Sequence, residues 1–144
     1  LDLFAGTGAL GFEAASRGAA HVQMVESNPA AVAAIPSLRN KLGALQVRVH
    51  AGDATVALQR LADARFDLVL VDPPFGKNWL DVLWDKLPGV LTEDGLLYIE
   101  AEAPFQMPDQ FEVLRSARAG QVHFQLARFA ASQKSDNNYA SLNA

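Results

Sequence analysis

The sequence has no cysteine, which excludes disulfide bonds, thiolate metal sites and a cysteine nucleophile. Histidine is scarce, and His21, His50 and His123 lie too far apart in the sequence to have the spacing of metal ligands. We therefore expect these histidines in the core or at strand edges, and we expect no metal site. No apolar run approaches the ~18 residues of a membrane span, and no signal peptide is visible, so we expect a cytoplasmic protein.

Basic residues are outnumbered by acidic ones, 12 to 16, which gives a net charge of −4 over 144 residues. Proteins that bind RNA usually present a basic face, so this balance argues against a nucleic-acid partner. The length and the apolar content of 50% are typical of one globular domain. We expect a monomer whose domain spans residues 1–129 and ends in a flexible tail, residues 130–144. Because Leu1 lies in an apolar run and is not a methionine, we also expect that an N-terminal part is missing.

Short apolar runs alternate with helical patterns along most of the chain, which predicts a parallel α/β sheet with helices on both faces. Two further strand-like runs flank Gly120 and predict a closing β-hairpin. Asn28 and Pro29 have the pattern of a helix cap followed by the first helical residue, and Pro36 is expected to kink or split that helix. The predicted strands are residues 1–4, 21–26, 45–50, 66–72, 95–102, 111–119 and 121–129, and the predicted helices are 9–17, 29–42, 54–61 and 80–91.

Glycines, carboxylates and prolines occur at the carboxyl ends of four successive predicted strands, where open α/β sheets bind their ligands. At the first, Gly6, Gly8 and Gly11 form the G-x-G-x-x-G pattern of dinucleotide sites, although Gly11 falls inside the predicted helix and is expected to serve close packing. At the second, Glu26 can accept the ribose hydroxyls of an adenosine, in NAD or in S-adenosylmethionine alike. At the third, Asp53 either accepts the adenine amino group, caps the next helix, or does both.

The fourth of these strands ends in Asp72-Pro73-Pro74-Phe75, a motif that a dinucleotide fold does not need. The exocyclic amine of a nucleobase is a weak nucleophile because its lone pair is delocalised into the ring. The Asp72 carboxylate and the Pro73 carbonyl can each accept a hydrogen from such an amine and aim its lone pair at an incoming methyl group. Two prolines make the direction of the carbonyl rigid, which favours preorganised catalysis, and Phe75 can stack on the base. The motif therefore favours methyl transfer over hydride transfer.

Several segments resemble the RsmD family: LDLFAGTGALGFEAASRGA, GDA, FDLVLVDPPF and GQVHFQLAR, together with Glu26. Members of that family are bacterial, S-adenosylmethionine-dependent class I methyltransferases of guanine N2 in 16S ribosomal RNA. The resemblance covers residues 1–129 and implies a Rossmann-like, mostly parallel sheet of the seven-stranded type that ends in an antiparallel hairpin. It implies 16S ribosomal RNA, or the assembling small ribosomal subunit, as the partner.

The resemblance also implies a role for each part of the site. Phe4, Gly6 and Gly8 would line the methionine end of S-adenosylmethionine. Glu26 would hold its ribose and Asp53 its adenine. The predicted catalytic residues, which would hold the guanine, are Asp72, Pro73, Pro74 and Phe75. The full predicted cofactor-binding set is Asp2, Phe4, Ala5, Gly6, Thr7, Gly8, Glu26, Ser27, Asp53, Ala54 and Asp72.

Three other functions fit parts of the sequence. The Asp72–Phe75 motif also suits an adenine-N6 methyltransferase that acts on DNA or RNA. The glycine loop and Glu26, taken without that motif, suit an NAD-dependent oxidoreductase. A nucleotide-binding module without catalytic activity is the third alternative. Methylation of pyrimidine C5 through a thiolate is disfavoured because cysteine is absent.

Overall fold

The computed structural model describes residues 1–130, so the predicted tail, apart from Ala130, lies outside the described residues. Helices and strands alternate up to the fourth strand, and the last two strands follow without a helix between them. In chain order the elements are α1 (Ala9–Ser16), β1 (Val22–Glu26), α2 (Pro29–Leu42), β2 (Val47–Ala51), α3 (Ala54–Arg60), β3 (Phe66–Val71), α4 (Trp79–Leu83), a 3-10 helix (Leu87–Val90), β4 (Leu91–Ala101), β5 (Phe111–Ala119) and β6 (Val122–Phe129).

The N-terminal segment, residues 1–5, joins two groups of strands into one sheet. β1 pairs with β2, and β3, β4, β6 and β5 form a second group in that order. Asp2 forms parallel bridges to both Met24 in β1 and Leu70 in β3. Its backbone N–H donates to the carbonyl of Gln23 at 2.8 Å, and the N–H of Leu70 donates to the carbonyl of Leu1 at 2.8 Å. The predicted first strand is therefore reduced to a bridge at Asp2, but it has the central place in the sheet.

The pairing of the strands confirms an α/β fold with a mixed sheet. β1 and β2 run parallel, as do β3 and β4, whereas β6 is antiparallel to both β4 and β5. The predicted hairpin is present, with Gly120 in the left-handed conformation (φ 62°) that its turn requires. β3, the most apolar strand of the sequence, lies inside the sheet, where Val69 and Val71 are fully buried.

Two helix predictions need correction. α2 is continuous through Pro36, so of the predicted kink or split the split is wrong. Pro36 is exposed, and the carbonyl that its missing N–H leaves unpaired can bond to water instead. The predicted helix over residues 80–91 is also wrong, because α4 ends at Leu83 and the 3-10 helix follows. Pro88 lies near the start of that 3-10 helix and has no N–H with which to continue an α-helix.

The start of α2 is formed as predicted. The Asn28 side chain accepts hydrogen bonds from the N–H groups of Ala30 (2.9 Å) and Ala31 (3.2 Å), and Pro29 is the first helical residue. Gly43 ends the helix in the left-handed conformation. The Asn28 cap, two residues after Glu26, places the amino end of α2 at the carboxyl edge of the sheet.

The histidines lie on or beside strands. His21 precedes β1 and is exposed, and His50 of β2 bonds to Gln23 of β1 at 2.6 Å. Within residues 1–130, no cluster of three or more His, Asp or Glu side chains is suited to hold a metal ion. The described helices are all too short or too polar to cross a membrane.

Candidate functional site

A large cavity of about 760 Å³ lies at the carboxyl ends of the N-terminal segment, β1, β2 and β3. All four parts of the predicted site contribute to its lining, which is the arrangement that the shared edge of parallel strands requires. The predicted residues that line it are Phe4, Ala5, Gly6, Thr7, Glu26, Ser27, Asp53, Ala54, Asp72 and Pro74.

The Glu26 carboxylate connects the glycine loop to the start of α2. Its Oε2 accepts a hydrogen bond from the N–H of Gly6 at 2.6 Å, and its Oε1 accepts one from the N–H of Asn28 at 2.9 Å. Gly6 has the left-handed φ of 56°, which a residue with a side chain adopts at a cost. Each carboxylate oxygen has two lone pairs, so Glu26 can still accept hydrogen bonds from a ligand's hydroxyl groups.

Asp53 caps α3 and lines the cavity as well. Its Oδ1 accepts hydrogen bonds from the N–H groups of Thr55 (2.8 Å) and Val56 (3.2 Å) and from the Thr55 hydroxyl. The Thr55 hydroxyl is the largest cause that holds the pKa of Asp53 below its usual value, and Lys77 adds to the effect. Within residues 1–130, Oδ2 of Asp53 accepts no hydrogen bond. The capping interpretation is therefore correct, and one oxygen remains for a ligand.

Asp2 and Gly8, both in the predicted cofactor set, do not line this cavity. Asp2 is 1% exposed, and its Oδ2 accepts a hydrogen bond from the N–H of Gly11 at 3.1 Å. Burial raises the pKa of Asp2 to about 6. Its Oδ1 is buried and has no partner among the described residues. Asp2 thus links the sheet to α1 beneath the glycine loop.

Gly8 and Gly11 allow α1 to pack closely on the sheet. A Cβ at Gly11 would lie 2.5 Å from the Met24 Cε, which agrees with the packing role expected of this glycine. Gly8 has φ 88°, and a Cβ there would lie 2.7 Å from the Phe12 ring. Only Gly6 of the three has open space where a Cβ would project. The G-x-G-x-x-G spacing therefore reflects helix packing at two of its three glycines.

Gly8→Ala is expected to destabilise the fold more than Gly18→Ala. Both glycines have a left-handed φ, which costs a residue with a side chain about 1–2 kcal/mol. A Cβ at Gly18 meets nothing within 4 Å, whereas one at Gly8 collides with Phe12, and such overpacking costs a further ~1–3 kcal/mol. Urea unfolding of both variants measures the difference, and equal losses would show that the Phe12 contact has no cost.

The Asp72–Phe75 motif divides between two cavities that meet. Asp72 and Pro74 line the large cavity, while Pro73, Pro74 and Phe75 line a second one of about 350 Å³. Pro74 and Trp79 belong to both linings. Phe75 is 67% exposed, so its ring is free to contact a ligand in the second cavity.

Trp79 is a site residue that the sequence interpretation missed. Its ring packs edge-on against Phe4, with 5.1 Å between the ring centroids, and the Lys77 Nζ lies 5.6 Å from its centroid. It begins α4, one residue before the predicted start of that helix. An aromatic residue soon after the Pro-Pro turn was the only signal, and an ordinary core position explains such a residue equally well.

Tyr98 and Glu100 of β4 also escaped prediction. The in-register pair Val71 and Ile99 places Asp72 beside Glu100 at the edge of the sheet. Burial is the main cause that raises the pKa of Asp72 to about 6, and the nearby Glu100 carboxylate adds to it. The Tyr98 hydroxyl donates a hydrogen bond to the Glu100 Oε1 at 2.8 Å. An acidic group with a raised pKa beside a cavity marks a candidate reaction centre.

Comparison with known proteins agrees with this geometry. The family model described as Conserved hypothetical protein 95 matches residues 1–128. Ribosomal RNA small subunit methyltransferase D of Escherichia coli K12 is 33% identical over 141 residues, which cover 94% of this chain and 71% of that protein. The chain belongs to the RsmD family. The predicted family is thereby confirmed.

Solved structures support the same fold for this RsmD-family chain. Escherichia coli yhhF has a TM-score of 0.79 and 33% identity, and the match covers 90% of this chain and 74% of yhhF. Fibrillarin of Methanococcus jannaschii, a pre-rRNA processing protein, has a TM-score of 0.69 at 15% identity, over 89% of this chain and 64% of fibrillarin. The second likeness bears on the fold alone. Together they confirm the predicted α/β fold of the class I methyltransferases.

Proposed function

We propose that this chain transfers a methyl group from S-adenosylmethionine to the exocyclic N2 amine of a guanine in small-subunit ribosomal RNA. The observation that carries the proposal is the meeting of the two cavities at Pro74 and Trp79, with Asp72 in the lining of the large cavity. The large cavity has the residues for the cofactor, and the smaller one has aromatic residues for a base. The family membership and the name of the Escherichia coli relative support the same reaction.

The charge of the large cavity favours S-adenosylmethionine over a dinucleotide. Its lining includes the carboxylates of Glu26, Asp53 and Asp72, and among residues 1–130 no lysine, arginine or histidine contributes to it. A pyrophosphate would be repelled there, whereas a sulfonium and an ammonium group would be attracted. Gly6 leaves open space beside the backbone, and Glu26 and Asp53 both have lone pairs to spare. The residues present therefore fit this cofactor, which when bound supplies the methyl group.

The second cavity suits a flat nucleobase. Phe75, Trp79 and Phe105 contribute rings to its lining, and stacking on an aromatic ring is worth about 1–3 kcal/mol per base. A base held there has its amine near the Asp72 carboxylate and the Pro73 carbonyl, which orient its lone pair toward the large cavity. Pro73 and Pro74 limit backbone rotation, so these acceptors are preorganised. If the base begins within a stack, it must first be extruded.

A labelled-methyl assay tests the proposal on purified protein, with naked 16S ribosomal RNA and with isolated small subunits as substrates. Nucleoside analysis of the digested product is expected to find the label in N2-methylguanosine. Label in N6-methyladenosine would contradict the guanine assignment. Binding of S-adenosylhomocysteine without any methyl transfer would favour a nucleotide-binding module. Thermal stabilisation by NAD but not by S-adenosylhomocysteine would contradict the cofactor assignment.

A further inference from the structure

Asp72 and Glu100 form a pair of carboxyl groups at the ends of two parallel strands. They follow the in-register residues Val71 and Ile99, so they project from the same face of the sheet. Burial is the main cause that raises the pKa of Asp72, and the adjacent Glu100 carboxylate adds to it. Negative charges at the ends of neighbouring strands repel each other, which favours the protonated form of Asp72.

Tyr98 holds Glu100 from two residues earlier on β4. Its hydroxyl donates to the Glu100 Oε1 at 2.8 Å, and burial raises the pKa of Tyr98, so the hydroxyl remains a donor at neutral pH. The ring of Tyr98 lies 6.5 Å from that of Phe124 on the neighbouring strand β6, which limits its movement. Glu100 is thus fixed on one side by Tyr98 and lies beside Asp72 on the other.

The charged groups that face Asp72 are negative on both sides. Glu100 lies on β4, and Asp2 lies on the N-terminal segment; both favour the protonated form of Asp72. β6 places the uncharged Phe124 opposite Glu100. Lys77, on the loop after the motif, helps to lower the pKa of Asp53. Neither Tyr98 nor Glu100 belongs to the lining of the two cavities, so any effect of theirs on a ligand passes through Asp72.

We propose that Glu100, fixed by Tyr98, is a positioning residue that orients Asp72 against the target amine and makes Asp72 the acceptor of the proton that methyl transfer releases. This inference rests on the proposed function. The amine nitrogen forms its bond to the methyl carbon as the carbon–sulfur bond breaks, and the bonding pair stays on sulfur. The surplus proton of the nitrogen then moves to an Asp72 oxygen, from which it passes to solvent.

Glu100→Gln tests the proposal because glutamine keeps the size of the side chain and can still accept from Tyr98. Without the neighbouring negative charge, Asp72 is expected to titrate at a lower pH in the ligand-free protein, as followed by carboxyl carbon NMR. The acidic limb of the kcat profile is expected to move to lower pH in the same direction. We expect kcat at pH 8 to fall roughly tenfold, a part of the 10²–10⁴ that general base catalysis contributes.

Two further variants separate this role from a structural one. Tyr98→Phe is expected to move the Asp72 titration and the acidic limb of the kcat profile to lower pH as well, but by less than Glu100→Gln does. Glu112→Gln is the matched control, because Glu112 lies on the edge strand β5 and its exposed carboxylate pairs with Arg128 at 3.8 Å. It is expected to leave the Asp72 titration and the acidic limb unchanged.

The proposal is overturned if Glu100→Gln changes neither the pH at which Asp72 titrates nor the pH of the acidic limb of the kcat profile, whatever happens to kcat itself. Loss of kcat with no movement of the limb would indicate a merely structural role and would overturn it equally. If wild-type protein transfers no methyl group, the proposed function fails. The NMR titration then still shows whether Glu100 and Asp72 form a coupled pair.

Discussion

Asp72→Ala is expected to lower kcat by roughly 10³-fold, because both orientation of the amine and acceptance of its proton depend on this carboxylate. The affinity for S-adenosylhomocysteine is expected to fall much less than kcat, since the Glu26 and Asp53 carboxylates remain in the large cavity. Single-turnover methyl transfer and calorimetric binding measure the two quantities separately. Wild-type kcat in this variant would contradict the mechanism.

Thermal unfolding of Asp72→Ala distinguishes a loss of catalysis from a loss of the folded structure. The pKa of Asp72 is raised from 3.8 to about 6, so the folded protein binds this proton more tightly than the unfolded chain does. The stability that Asp72 contributes is therefore present below about pH 4 and is lost as the pH rises through about 6. The Tm of Asp72→Ala minus the Tm of wild type is therefore expected to be higher at pH 8 than at pH 4.

Matched variants sharpen the result for Asp72. Asp67→Ala changes an exposed aspartate near the opposite end of β3, so it is expected to keep wild-type activity. Asp72→Asn keeps an oxygen that accepts from the amine but cannot take up a proton at neutral pH. Its kcat is expected to lie between those of wild type and Asp72→Ala.

The shared edge of the site was predictable because strand ends are local features of a sequence. An apolar run that stops at a polar residue marks its own carboxyl end, as at Glu26 and Asp72. Parallel strands bring those ends to the same edge of the sheet whatever their order. Residues from all four predicted positions therefore line one cavity, although no long-range pairing was known from the sequence.

The parts that escaped prediction depend on contacts distant in the sequence. Glu100 lies beside Asp72 only through the pairing of β3 with β4, whose register shifts between Phe66 and Leu68. β4 also begins at Leu91, four residues before the predicted strand, and includes the left-handed Asp94. For Gly8 the residue type suggested a ligand, and the structure adds two further reasons for a glycine, the left-handed φ of 88° and the nearby Phe12 ring.

The net negative charge was a poor guide to RNA binding, because the charge alone does not tell where in the structure the acidic residues lie. Glu26, Asp53, Asp72, Glu100 and Glu102 all lie around the two cavities or directly beside them. These five carboxylates belong to the 16 acidic residues that make the chain negative. They suit a cationic cofactor and the amine of a base, so their charge does not argue against RNA as the molecule that carries the base.

Glu26→Ala is expected to weaken the binding of S-adenosylhomocysteine about 100-fold. The substitution removes the acceptor proposed for the ribose hydroxyls and the two bonds that hold the backbones of Gly6 and Asn28. Hydrogen bonds to a charged group contribute about 1.5–3 kcal/mol each, and ~1.4 kcal/mol is a factor of ten in Kd. Glu13→Ala is the matched control, since Glu13 forms an exposed ion pair with Arg17 and such pairs contribute little. Calorimetry measures both values of Kd, and a value for Glu26→Ala within threefold of wild type would mean that Glu26 organises the loop without binding the cofactor.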